Sequence, residues 1–195
     1  VIYTSDNGPW KLASNSWVKG NMNRRVGGFA HPLKGYKFSR FEGGMRVPTV
    51  MWWPGRIPAG KECSEVGASM DFLPTCAAIA GAKVPDDRVV DGVDLSPSLF
   101  GKGKVKRDTY FYYRGQKLYA VRKGPWKAHY LTRGAYGRSK EEQHAPPILH
   151  HLDHDPSEKI DVAADHPGVL AEIAKAVANH KAKLKADQRP ADGVE

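Results

Sequence analysis

The chain has 195 residues, enough for one domain or one domain with a small appendage, and its 41% apolar content excludes wholesale disorder. With 30 basic and 21 acidic side chains it carries a formal charge of +9, which favours anionic partners but does not choose among nucleic acid, acidic lipid and sulfated or phosphorylated substrates. No apolar run approaches the ~20 residues that cross a bilayer, and neither a zinc-finger spacing nor an aromatic-rich RNA-binding signature occurs.

Val1-Ile2-Tyr3-Thr4 reads as a buried strand that breaks at Ser5-Asp6-Asn7-Gly8-Pro9 into a polar loop. A chain opening within a strand says nothing about its localisation. Residues 10–44 are rich in Gly, Asn, Lys and Arg with little periodicity, a pattern that in compact domains accompanies function. Val47 to Pro54 predicts a second apolar strand. Asp71 is placed to cap a short apolar helix that stops at Gly81. The two cysteines, Cys63 and Cys76, match no metal spacing; Cys76 is expected to pack as a small hydrophobe, and a disulfide between them stays open. Lys102, Lys104, Lys106 and Arg107, and the later run Lys181, Lys183 and Lys185, read as solvated surface.

Tyr110 to Tyr113 and Leu118 to Arg122 predict strands, and Lys123-Gly124-Pro125 predicts a hairpin turn into Trp126 to Leu131. Ile148 to Leu152 adds a further strand. Pro167 opens a helix through about Lys185, with Val169, Leu170, Ile173, Val177 and Leu184 at helical spacing. The order predicts the edge of an α/β domain over residues 1–105 and a small antiparallel sheet with one helix over residues 106–195.

Two constellations could carry chemistry. Asp6-Asn7 offers adjacent hard oxygens suited to calcium or magnesium, although Asp-Asn-Gly is also an ordinary turn. Calcium takes about six to eight oxygens, so such a site would be completed elsewhere. The second is Lys37-Phe38-Ser39-Arg40-Phe41-Glu42-Gly43-Gly44-Met45-Arg46-Val47-Pro48. Its glycine pair implies close backbone approach, Glu42 and Arg46 suggest an ion pair pinning the loop, and Lys37 and Arg40 are candidate anion contacts. His129 reads as a sheet histidine with its partners satisfied. In His150-His151-Leu152-Asp153-His154 the first two side chains point to opposite strand faces, which argues against a metal cluster.

Taken together these segments resemble the sulfatase family. The resemblance runs from Asp6-Asn7-Gly8 through Lys-x4-Glu-Gly-Gly-x-Arg-x-Pro and Trp52-Trp53-Pro54-Gly55 to Met70-Asp71-Phe72-Leu73-Pro74-Thr75 and Asp91-Gly92-Val93-Asp94-Leu95. It continues in Phe111-Tyr112-Tyr113-Arg114-Gly115, Trp126-Lys127-Ala128-His129, Pro146-Pro147-Ile148-Leu149 and Asp155-Pro156-Ser157-Glu158, covering nearly the whole chain in family order. Several segments are most similar to the branch holding arylsulfatase A and N-acetylgalactosamine-6-sulfatase. The implied fold is α/β, an alkaline-phosphatase-like sulfatase fold present in part.

By that resemblance Asp6 and Asn7 would be calcium ligands, and Lys37 the catalytic lysine contacting the substrate sulfate, with Lys34 as its competitor. His144 would bring a substrate contact from the C-terminal subdomain. Lys19, Arg24, Arg25 and His31 are further candidates for selecting an acidic glycan. The family nucleophile is a formylglycine made within a Cys/Ser-x-Pro-x-Arg signature, which this sequence lacks. The resemblance therefore implies a chain inactive by itself, which either self-associates or joins an N-terminal half. Its substrate would be a sulfated aryl or glycan compound, not nucleic acid or membrane, in a periplasmic, secreted or lysosomal setting. Two other readings stay open: a phosphodiesterase of the same superfamily, and a non-catalytic domain binding acidic glycan or nucleic acid.

Overall fold

The computed structural model describes residues 1–10, 28–135 and 139–186. Its elements are β1 (Ile2–Thr4), α1 (Glu42–Met45), β2 (Thr49–Met51), α2 (Phe72–Ala80), α3 (Ser96–Leu99), β3 (Thr109–Arg114), β4 (Lys117–Lys123), β5 (Trp126–Thr132), β6 (Glu142–His151) and α4 (Pro167–Ala186). The contacts divide the chain into two units. One holds residues 1–3, 50–108 and 180 onwards; the other holds residues 4–49 and 109–179.

The second unit is built on an antiparallel sheet of order β3-β4-β5-β6. Its first two hairpins close through two-residue loops that begin with Gly115 and Gly124, each at φ 56°. A positive φ at that position matches the strand twist, and glycine takes it without a Cβ clash. Strand alternation then sorts the side chains by face. Phe111, Val121, Ala128 and Leu149 stand opposite one another across the four strands and form an apolar face. Ile173 and Val177 of α4 cover that face, with Ala163 completing the core. Tyr110, Tyr112, Arg122, Lys127, His129 and His150 occupy the opposite face by the same registers.

The sheet, the hairpin at Gly124-Pro125 and the helix opened by Pro167 agree with the sequence expectation. Strand β6 starts at Glu142, six residues before the predicted Ile148, and runs through Ala145-Pro146-Pro147. Prolines weaken a central strand, but β6 is the sheet edge, where a missing N–H leaves no ladder bond unmade.

In the first unit, α2 ends at Gly81, in the left-handed conformation at φ 69°. Asp71 does not cap it. The residue already has helical backbone angles, whereas a cap needs an extended one. Its buried carboxylate instead accepts the amides of Ala68 (2.7 Å) and Val93 (2.9 Å) and pairs with Arg107. Arg107 is thus a buried structural partner, not solvated surface, because Asp71 would otherwise be an uncompensated buried charge. Cys63 and Cys76 are unpaired thiols and both are exposed, so Cys76 is not packed as a core residue.

Strands β1 and β2 pair with each other; Val1 and Trp52 exchange both backbone bonds, at 2.8 and 2.9 Å. The sequence predicts these strands to be buried, yet Tyr3, Val50 and Trp52 are 72%, 60% and 61% exposed. Apolar composition marks strands suited to being covered; here Val1, Ile2 and Met51 share an apolar cavity with Phe72 and Ile79 of α2, and the coverage stops there.

Candidate functional site

The Asp6-Asn7 loop and the Lys37 loop are joined backbone to backbone. The Gly8 amide donates to the Gly44 carbonyl (3.1 Å), and the Lys37 amide donates to the Pro9 carbonyl (3.0 Å). This stacking explains the glycines. A Cβ on Gly8 would lie 2.1 Å from the Gly43 carbonyl oxygen, and one on Gly44 would lie 2.5 Å from the Ser39 and Tyr36 carbonyl oxygens. Backbone has no rotamer with which to yield, so only glycine permits the approach. Within the second loop the Gly43 amide also donates to the Lys34 carbonyl (2.7 Å).

Two of the three predicted sulfate and metal contacts are therefore neighbours by chain connection, and the third is tied to them. Asp6 is exposed and its carboxylate pairs with no described cation. Asn7 is half-buried, its backbone carbonyl accepting the Ser5 hydroxyl at 3.0 Å. The Lys37 ammonium lies 5.3 Å from the centre of the Trp10 ring and 5.5 Å from that of Phe38. Among the described residues no carboxylate pairs with it. Cation–π contact holds such a group without neutralising it.

His144 is in a different place. Its Nε2 meets the Thr132 hydroxyl at 2.8 Å, and it lines a cavity of about 400 Å³ together with Lys34, Phe41 and Arg133. Lys37, Asp6 and Asn7 do not line that cavity. Lys34 faces it with its ammonium donating to the Glu158 carbonyl (3.0 Å) and lying 4.2 Å from the Phe41 ring centre. His31 is exposed, and Lys19, Arg24 and Arg25 lie outside the described residues.

The expected Glu42–Arg46 ion pair does not form. Arg46 is exposed, while the Glu42 side chain turns inward onto the polar face of the sheet. There it accepts hydrogen bonds from the Lys127 ammonium (2.8 Å) and the Tyr112 hydroxyl (3.1 Å), with Arg122 at 3.6 Å. Arg40 is likewise structural: its guanidinium donates to the carbonyls of Tyr113 (2.6 Å) and Phe38 (3.2 Å). Burial, and then the nearby charge of Arg114, lower its pKa. These two carbonyl bonds hold its guanidinium in place.

Sequence reasoning missed the centre of this network. Lys127 is fully buried and bridges Glu42 and Glu158 (3.1 Å), and it also donates to the Arg40 carbonyl (2.8 Å). Glu158 in turn accepts the Glu42 amide (2.6 Å) and meets His129 Nε2 at 2.7 Å. Burial alone would raise the Glu158 pKa, but the His129 hydrogen bond, the Lys127 charge and the Glu42 amide together hold it down to about 2. For His129 burial wins over the pull of the carboxylate, lowering its pKa to about 4. A neutral ring must then carry its proton on Nε2 to donate to Glu158. The available signal was the alternation of Lys127 and His129 on one face of an otherwise apolar strand.

Among the described residues no group of three or more His, Cys, Asp or Glu side chains is placed to hold a metal. In the histidine run, the His150 ring meets the Ile160 carbonyl at 2.7 Å, and His151 stacks on His154.

Two family models match the chain. The one described as "Sulfatase" matches residues 1–82, and the one described as "C-terminal region of aryl-sulfatase" matches residues 105–193. N-acetylgalactosamine-6-sulfatase of Canis lupus familiaris is 34% identical over 207 residues, covering 94% of this chain and 38% of that protein. Arylsulfatase A of Homo sapiens is 36% identical over 193 residues, covering 91% of this chain and 36% of that protein. The crystal structure of PsFucS1 sulfatase from Pseudoalteromonas sp. aligns with a TM-score of 0.83 at 24% identity, over 98% of this chain and 38% of that one. The expected α/β sulfatase fold, present in part, is thereby borne out. The chain spans less than two fifths of the curated relatives it matches.

Proposed function

The chain belongs to the sulfatase family, and on that premise we propose that it forms part of a calcium-dependent sulfuric ester hydrolase acting on sulfated aryl or glycan substrates. The observation that carries this reading is the backbone pairing of the Asp6–Pro9 segment with the Lys37 loop. It keeps two hard oxygen donors and an ammonium without a described carboxylate partner in neighbouring loops.

In this reading Lys37 grips a sulfate oxygen and steadies the negative charge that develops as the ester bond breaks. At about 4 Å and an effective dielectric near 20, one such charge contributes roughly 4 kcal/mol. Asp6 and Asn7 have the donor chemistry for calcium: a carboxylate that no described cation neutralises beside an amide oxygen. Two protein oxygens out of six to eight make only part of a site. Calcium, when bound, would polarise the sulfate oxygens. The formylglycine nucleophile has no source signature in these 195 residues and would come from a segment outside them. In this reading the buried Lys127–Glu42–Glu158 network acts by positioning the Lys37 loop on the sheet. His144 would contact the sugar or aryl part of the substrate from the cavity side.

Titrating the chain with phenyl sulfate, followed by amide resonances, tests the role of Lys37. Wild type should shift the amides of residues 36–38, and Lys37→Ala should weaken binding about tenfold with the urea midpoint unchanged. Equal affinity in the two proteins would remove the lysine from the site.

A further inference from the structure

Among the described residues two that are not glycine have a positive φ, Glu158 at 49° and Phe38 at 73°. The bonds of the buried network account for Glu158: its amide donates to the Asp155 carbonyl (3.1 Å) and its own carbonyl accepts the Lys34 ammonium (3.0 Å). Phe38 has a different setting. The Ser39 amide donates to the Tyr36 carbonyl (2.9 Å), closing a turn with Lys37 and Phe38 at its centre. Of these two only Phe38 has a positive φ, the pattern of a type II turn. That position calls for glycine or asparagine, and a bulky side chain there strains the backbone.

The fold holds this strained residue from both sides. The Lys37 amide is bonded to the Pro9 carbonyl (3.0 Å), and the Arg40 guanidinium donates to the Phe38 carbonyl (3.2 Å). Ser39 is buried, and a Cβ on Gly35 or Gly44 would lie 2.3 or 2.5 Å from its hydroxyl. Burial does not account for the phenyl ring, because Phe38 is 47% exposed. The ring does have a neighbour that matters. Its centre is 5.5 Å from the Lys37 ammonium, and the Trp10 ring centre is 5.3 Å from the same group. Glycine or asparagine would satisfy the turn but would present no ring to the ammonium.

We propose that Phe38 is a positioning residue for Lys37: its strained backbone holds the phenyl ring against the ammonium, which is aimed before a sulfate arrives. A free lysine side chain loses rotamer freedom when it grips an anion, and restraint in advance removes part of that loss. Contact with ring faces supplies the restraint without neutralising the charge. Strain of this kind persists where the surrounding structure over-determines the residue, and it accompanies function. The proposal rests on the reading of Lys37 as the sulfate contact and adds to it the device that orients the lysine.

The test compares the 195-residue chain with Phe38→Gly, Phe38→Tyr and Lys37→Ala, using phenyl sulfate and methyl sulfate at constant ionic strength. In wild type the ε-methylene protons of Lys37 should resonate upfield of those of other lysines, under the ring currents. Phe38→Gly should move them towards the ordinary lysine position and weaken both ligands about fivefold, with a urea midpoint no lower than wild type because the strain is relieved. Phe38→Tyr should keep both the upfield position and the affinity. A structural role predicts the opposite pairing, in which affinity and midpoint fall together, and that result overturns the proposal. Loss confined to phenyl sulfate also overturns it, since the ring would then touch the ligand directly and not act through Lys37. If Lys37→Ala weakens both ligands while Phe38→Gly binds like wild type, the orienting role fails and the sulfate contact stands. If Lys37→Ala binds like wild type, or wild type shows no measurable binding, the sulfate contact fails and the proposal with it.

Discussion

Lys127→Met is expected to cost about 3–5 kcal/mol of folding free energy, a large part of the 5–15 kcal/mol typical of a domain. The Lys127 ammonium is fully buried and lies within 3.1 Å of two carboxylates, Glu42 and Glu158, which are themselves 3% and 0% exposed. Removing it leaves two buried negative charges with one positive charge beside them, Arg122 at 3.6 Å from Glu42. Methionine fills the space but cannot donate to the carboxylates or to the Arg40 carbonyl. Urea unfolding would show the loss as a lower midpoint, or as the disappearance of a cooperative transition. Adding Glu158→Gln to Lys127→Met should recover part of it, because one of the two stranded charges is then gone. A single variant within 1 kcal/mol of wild type would mean that water reaches these groups and that the network is not the anchor of the Lys37 loop.

Acid should weaken the chain well above the pH at which ordinary carboxylates protonate. The His129 pKa is lowered from 6.5 to about 4 by burial, so between those values the unfolded chain takes up a proton that the folded chain refuses. Glu158, lowered from 4.5 to about 2, acts in the same direction further down. Both shifts are depressions, so the stability they carry is complete above the unfolded pKa and is lost as pH falls towards the folded one. For His129 that window is pH 6.5 to 4, worth up to about 3 kcal/mol. Other histidines also titrate there, which makes the comparison with His129→Gln the decisive one. Glutamine can still donate to Glu158 but takes up no proton. Measured by urea unfolding at pH 7, 5.5 and 4.5, wild type should lose about 2–3 kcal/mol more than the variant across that span. Parallel pH profiles would mean that His129 is already charged in the fold.

Local signals in the sequence carried much of the sheet and little of its charged face. Gly124-Pro125 marked a hairpin because a positive φ at that place is a local steric demand, and Pro167 marked the start of α4 for the same kind of reason. The Gly43-Gly44 pair announced a close approach, which the contact with Gly8 fulfils. The partners of Glu42 were not legible. Its bonds to Lys127 and Glu158 join residues 85 and 116 positions apart, and a strand lysine read locally is a solvated one. The nearby Arg46 was therefore the natural but incorrect partner. Asp71 and Arg107 were misread likewise: each is ordinary in its own segment, and only their pairing across 36 residues makes both buried. Lys37 and Asp6-Asn7 were found through motif resemblance, since a loop lysine or an Asp-Asn-Gly turn has no distinctive local physics.

Whether these two loops act as one site can be read most directly from calcium titrations at millimolar concentration, with and without phenyl sulfate, followed by the amide resonances of residues 6–8 and 36–38. If a metal held by Asp6 and Asn7 and a sulfate held by Lys37 share oxygens, each ligand must tighten the other by the same factor, and both sets of amides must shift in either titration. Calcium affinity that ignores phenyl sulfate, with shifts confined to one loop at a time, would contradict a common site.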